Sequence, residues 1–168
     1  VSPASGVVPF AATFTPSASG GNGVYTYAYD YGDGSTGSSS AHTYTVAGAY
    51  RATVTASDGA SHSATSPPVA LTAWAPLAVS ASAVPTTGVV PFSVSVSAAA
   101  TGGDGVYTFS CDYGDGASGP VGTHTYTTNG TYLIVATVHD GAGHVASASP
   151  ISIAAKAVPP AVSAVKKL

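Results

Sequence analysis

The chain has 168 residues, a formal net charge of -3 and only 7% charged side chains, against the ~25% usual for soluble domains. So small a charge argues against nucleic acid or another polyanion as a partner, and no apolar run approaches the ~20 residues of a membrane helix. There is no Glu and no Met, and the single Cys excludes an internal disulfide.

Helical periodicity is absent. Short alternating runs between Gly, Pro, Asn-Gly and Asp-Gly turns predict an all-β chain. In the first half, strands are expected at 8–16, 24–31, 41–45, 49–57 and 62–72. Tyr25, Tyr27, Tyr29 and Tyr31 recur at every second residue and so share one strand face. That run stops at Gly32-Asp33-Gly34, where glycine supplies the positive backbone angles of a tight turn. His42-Thr43-Tyr44 follows. Gly48 and Tyr50 then open a second alternating run that closes at Asp58-Gly59.

Ala73-Trp74-Ala75-Pro76 is too short and too apolar for a flexible tether. Trp74 is expected to pack between domains. Further strands are expected at 77–84, 90–98, 106–113, 123–127, 131–139 and 144–154. Every landmark returns after 82 residues: Gly6 and Gly88, Asp30 and Asp112, His42 and His124, Asp58 and Asp140. No insertion or deletion interrupts this register between Pro3/Pro85 and Pro68/Pro150, so the chain holds two copies of one small domain. The expected boundaries are 1–73 for the first, 74–76 for a linker, 77–156 for the second and 157–168 for a tail.

This ordered pattern resembles the PKD domain. The family's signature is an aromatic-Asp-aromatic-Gly-Asp-Gly turn, then His-x-Tyr, Gly-x-Tyr and a closing Asp-Gly. Both copies carry each step, with Tyr29 and Cys111 standing where the family usually has Trp. The resemblance covers nearly the whole chain. It implies two tandem immunoglobulin-like β-sandwiches of an extracellular or cell-surface protein. It implies less about function, because such domains serve as spacers, adhesion modules and accessory domains of secreted enzymes.

No catalytic constellation accompanies the fold. Five of the seven Asp directly precede Gly and are explained by turn chemistry. Asp30 and Asp112 are expected to bind backbone amides beside their turns, which Asp33 and Asp115 form. His42 with Tyr44, and His124 with Tyr126, are expected to clamp a sandwich corner by hydrogen bonds. No nucleophile elbow is present, so no enzyme is expected. Calcium, which takes six to eight oxygen ligands, is the cation to weigh, but no dense Asp/Asn loop occurs and no cofactor is expected. Cys111 lies on the aromatic face and reads as a buried thiol.

Three features point outward. Leu133 and Val135 occupy positions that are Arg51 and Thr53 in the first copy, an apolar pair expected to be an exposed contact patch. Asn129-Gly130-Thr131 is an N-glycosylation sequon, so glycans are candidate partners. The third feature concerns the termini. Subtracting 82 maps Ala83 and Val84 onto Val1 and Ser2, so the first copy lacks almost all of its first strand. The tail residues Ala161, Val162, Ser163 and Ala164 repeat Ala78-Val79-Ser80-Ala81. Val1 and Ser2 then mark an acceptor end, and Ala161 to Val165 a donor strand.

The chain begins at Val1 without Met and is expected to be a processed chain or a piece of a longer one. The favoured expectation is a structural subunit of an extracellular fibre, sheath or surface assembly. It would polymerise head to tail with copies of itself, without membrane insertion, by giving its tail to the next subunit. The alternative is a PKD spacer, or a carbohydrate- or protein-binding accessory segment, of a larger secreted enzyme or adhesin. The Trp74 joint yields a first prediction. Replacing Trp74 with Ser should broaden the interdomain angle distribution in small-angle scattering, and an unchanged distribution would rule out the stiffening role.

Overall fold

A computed structural model describes residues 1–161. The described residues contain strands and turns but no helix. The chain divides into a unit Val1–Pro76 and a second beginning at Leu77.

The first unit runs β1 (Ser5–Val7), β2 (Phe10–Thr13), β3 (Thr26–Asp30), β4 (Thr36–Gly37), β5 (Ala41–Tyr44), β6 (Gly48–Ser57), β7 (Ser63–Thr65) and β8 (Val69–Trp74). One sheet has the order β1-β8-β6-β3-β4, with β7 also on β6, and β2 pairs with β5 in the other. The second unit begins with β9 (Ala78–Val84) and continues through β10 (Thr87–Val89), β11 (Phe92–Thr101), β12 (Tyr107–Asp112) and β13 (Ser118–Gly119). It ends with β14 (Thr123–Tyr126), β15 (Gly130–Asp140), β16 (Val145–Ser147) and β17 (Ile151–Lys156). Its sheets are β10-β17-β15-β12-β13, with β16 on β15, and β14-β11-β9. Each unit is thus an immunoglobulin-like sandwich, and the first lacks a counterpart of β9.

The internal repeat holds at the level of paired residues. Phe10 faces Tyr44 as Phe92 faces Tyr126, and Tyr29 faces Val54 as Cys111 faces Ala136. Several expected boundaries move. The stretch 62–72 is two strands, β7 and β8, because Pro67 and Pro68 have no N–H to give to a ladder. Pro150 breaks 144–154 in the same place, between β16 and β17. The three-residue parallel strands β1 and β10, and the two-residue β4 and β13, are too short for any periodicity to reveal. Trp74 is the last residue of β8, with Val7 as its Cα partner.

The aromatic stripes make the cores. Tyr29, Tyr31 and Tyr44 are 4%, 4% and 0% exposed, and Tyr113 and Tyr126 are 6% and 1%. Tyr29 and Tyr31 stack in parallel, with ring centroids 5.9 Å apart. Tyr27 and Phe109 are half-buried. Cys111 is buried in the second core, and that burial raises its thiol pKa, so the group stays neutral and unreactive. Truncating Tyr31 or Tyr113 to Ala should cost ~3–5 kcal/mol in denaturant unfolding, as for other large core aromatics. A loss below ~1 kcal/mol would remove the stripe from the core.

Candidate functional site

Two constructions recur in both domains, and one feature is confined to the first. The first construction is the corner after β3. Asp30 accepts from the Gly32 amide at 2.9 Å, which tightens the turn. Gly32 has a φ of +79°, and a Cβ there would lie 2.5 Å from the Arg51 carbonyl, so only glycine lets the turn lie on β6. Asp33 then caps the Ser35 amide at 3.0 Å and takes the His42 Nε2 at 2.7 Å. His42 stacks on Tyr31 with ring centroids 4.0 Å apart. The buried Tyr44 hydroxyl donates to the Tyr31 carbonyl at 2.8 Å, tying one sheet to the other. The second domain repeats this with Asp112 on Gly114, Asp115 on His124 at 2.7 Å and Tyr126 on the Tyr113 carbonyl at 2.8 Å.

These groups shift in the directions such contacts demand. Desolvation pushes the Asp33 carboxyl up, but hydrogen bonds from Ser35 and His42 outweigh it and hold the pKa at about 2. Burial drives the Tyr44 and Tyr126 phenols to about 12, with the Asp33 and Asp115 charges adding to it. Asp–His contact here builds a clamp. Among the described residues, no serine hydroxyl is hydrogen-bonded to either histidine, and no cluster of three or more His, Cys, Asp or Glu could bind a metal.

The second construction is a buried carboxylate at the end of β6 and of β15. Asp58 is 4% exposed and accepts from the amides of Asn22, Ala60 and His62, and from His62 Nδ1 at 2.9 Å. Asp140 does the same with Asp104, His144 and the His144 ring at 2.7 Å. The sequence marked these acids only as turn residues. The signal that could have found them is the His four places on in both copies.

The feature confined to the first domain is an open slot. In the second domain, β9 pairs along β11 from Val84↔Ser95 to Ala78↔Thr101. In the first domain, only the last rung survives, a bridge between Ser2 and Thr13 with bonds of 2.9 and 3.0 Å. Val1 packs on the core beside it. Beyond Thr13 the chain keeps the alternating exposure of a strand, with Phe14 buried, Pro16 and Ala18 half-buried, and Thr15, Ser17 and Ser19 exposed. A cleft of about 470 Å³ opens along it, lined by Val1, Phe14, Tyr27, Val54, Ala56 and Ser66 among others. The equivalent positions in the second domain are closed: Ala136, Val138 and Ala148 are 1%, 0% and 8% exposed, where Val54, Ala56 and Ser66 are half-buried. This edge explains why β2 stops at Thr13 while β11 runs to Thr101.

The remaining expected residues are dispersed. Leu133 is 54% exposed and Val135 half-buried, on the outer face of β15. Asn129 is exposed in the turn before β15. The Trp74 carbonyl accepts from the Val8 amide at 2.9 Å. Ala161 is exposed and outside any strand, while Val162, Ser163, Ala164 and Val165 lie outside the described residues.

Comparison with known proteins places the fold. The PKD domain family profile matches residues 3–73 and 74–155. The chain belongs to the PKD domain family. PKD domains are typically non-catalytic and occur in extracellular and cell-surface proteins, and tandem copies suggest a surface or extracellular module. No curated protein sequence matches the chain. Among solved structures, it is similar to the fibronectin(III)-like modules of Clostridium thermocellum CbhA, at 13% identity and a TM-score of 0.43, over 93% of this chain and 92% of that one. It is also similar to a C-terminal fragment of intimin, solved with the intimin-binding domain of its translocated receptor. There the identity is 20% and the TM-score 0.40, over 78% of this chain and 51% of that one.

The clamps set a pH dependence. Asp33, Asp58, Asp115 and Asp140 all have pKa values lowered by folding. In the unfolded chain such carboxyls titrate near ~3.9, so their stabilisation is full above that pH and is lost as pH falls toward the folded value. For Asp33 that window runs from ~3.9 down to about 2. Denaturant midpoints should therefore be flat from neutral pH to ~4 and fall below it. Asp33→Asn should lower the neutral midpoint and flatten the acid decline. An unchanged acid slope in that variant would contradict the clamp.

Proposed function

We propose that the chain is a structural subunit of an extracellular fibre, sheath or surface assembly. Each subunit completes the first domain of the next with its own C-terminal tail. One observation carries this reading: the open slot along residues 14–19, at the place that β9 fills in the second domain. A strand edge left unpaired beside exposed core side chains is a template for another strand. The tail carries the filling sequence. Ala161-Val162-Ser163-Ala164 repeats Ala78-Val79-Ser80-Ala81, and Pro159 stands before it as Pro76 stands before β9.

Donation between copies is head to tail, and repetition gives an open filament unless the geometry closes a ring. The interaction is β-strand addition, in which main-chain bonds supply affinity and alternate side chains supply fit. A polysaccharide-binding accessory role would call for a platform of exposed aromatics. Every aromatic ring among the described residues is buried or half-buried.

The experiment is deletion of the chain from Pro160 onward. Filaments should disappear from electron micrographs and light scattering should fall to that of a monomer. The first domain should lose stability and regain it with a synthetic Ala161–Leu168 peptide. If the truncated protein still assembles, or its first domain is equally stable alone, the reading is wrong.

A further inference from the structure

The surviving Ser2–Thr13 rung fixes more than the presence of a slot. Along an antiparallel ladder, directly bonded pairs alternate with unbonded ones. Ser2 and Thr13 exchange both bonds, so they are a bonded pair. The groups of Thr15, Ser17 and Ser19 therefore face the open edge, and those of Phe14, Pro16 and Ala18 face the opposite way. Phe14 follows this rule, giving its N–H to the Ser40 carbonyl at 2.7 Å on the β5 side. Among the described residues, the backbones of Thr15, Ser17 and Ser19 have no backbone partner. Pro16, which has no N–H, thus sits where a docking strand requires none.

We propose that the tail of a second copy of this chain binds this edge in a single antiparallel register. Val165 lies opposite Thr15, Ser163 opposite Ser17 and Ala161 opposite Ser19. The tail and the recipient's own Val1 and Ser2 then form one strand shared by two molecules. This rests on the strand-donation reading above and deepens it. The register is the one that β9 takes on β11, shifted by the repeat. It turns Val162 and Ala164 into the cleft, as Val79 and Ala81 turn inward in the second domain.

Two stops hold this register. Toward the recipient's N-terminus, Val1 and Ser2 already occupy the next two positions, so Lys166 cannot advance. Sliding two residues the other way carries Lys166 inward opposite Pro16. There its ammonium would meet Phe14, Tyr27 and Val54, a lining that offers it no carboxylate. A slip of one residue reverses the face of every tail side chain and turns Ser163 and Val165 inward in place of Val162 and Ala164, so that a hydroxyl replaces the Val162 side chain over the core. The sequence Ala-Val-Ser-Ala-Val-Lys-Lys therefore both fills the slot and stops in it.

A proline pair in the full-length chain tests the register. Ser17→Pro removes an N–H aimed at the tail, whereas Ala18→Pro removes one aimed away. Neither group has a partner among the described residues, so both variants should fold with unchanged denaturant midpoints. Light scattering should show assembly lost in Ser17→Pro and kept in Ala18→Pro. As a second measurement, Ser17→Cys with Ser163→Cys should give a ladder of linked subunits on a non-reducing gel, since bonded pairs lie within disulfide reach. Ser17→Cys with Ala161→Cys or with Val165→Cys should give none. The native Cys111 is buried and does not compete. A ladder from a shifted pair, or equal tolerance of both prolines, overturns the register while leaving donation standing. No ladder from any pair, with assembly surviving deletion from Pro160, overturns both.

Discussion

A strand laid over a sandwich core must satisfy its backbone edge and cover the side chains beneath it. In this protein that single constraint separates two domains that are otherwise the same. Where β9 runs along β11, the ladder continues to Thr101, and Val96, Val138 and Ala148 are buried. Where only Ser2 remains, the ladder ends at Thr13 and the equivalent positions lie along an open cleft. The difference in strand length between β2 and β11 is not local in origin. The segment after Thr13 still alternates its exposure as a paired strand does, so its conformation does not depend on a neighbour along that edge.

In each domain a corner clamp ties one sheet to the other. A neutral Tyr44 hydroxyl bonds the Tyr31 carbonyl inside the core, and the charged Asp33 holds His42 flat against the Tyr31 ring. No buried side-chain N or O among the described residues lacks a partner. Satisfied polar groups in a core specify one arrangement more sharply than apolar contact alone. With 7% charged residues, the chain spends its few carboxylates on such positions rather than on surface ion pairs.

The outer faces have diverged where the cores have not. The strand after the corner carries Arg51 and Thr53 in one copy and Leu133 and Val135 in the other, and the turn before it carries Ala47 against Asn129. Core residues are held by packing on several neighbours at once, whereas these positions meet solvent or partners. Two copies of one domain can thus share a fold and present different surfaces.

The sequence alone determined the fold class, the tandem repeat and the aromatic cores. Those rest on period-two alternation and on turn residues, which are local, and on a register that returns after 82 residues. It also showed that residues 1–73 hold no counterpart of the stretch 77–82, because subtracting one copy from the other requires no coordinates. Only the tertiary structure decided what that absence exposes. Phe14, Tyr27, Val54, Ala56 and Ser66 are distant in sequence and meet only when the two sheets pack. The Asp58–His62 and Asp140–His144 pairs were likewise hidden, since an Asp-Gly pair reads as a turn until the sheet buries its carboxylate. Strands of two or three residues, such as β1 and β4, carry no period to read and exist through their neighbours. The direction in which Thr15 and Pro16 point their backbones is set by a single surviving rung between Ser2 and Thr13, and hydrogen-bond parity is a property of paired strands that no single strand's sequence contains.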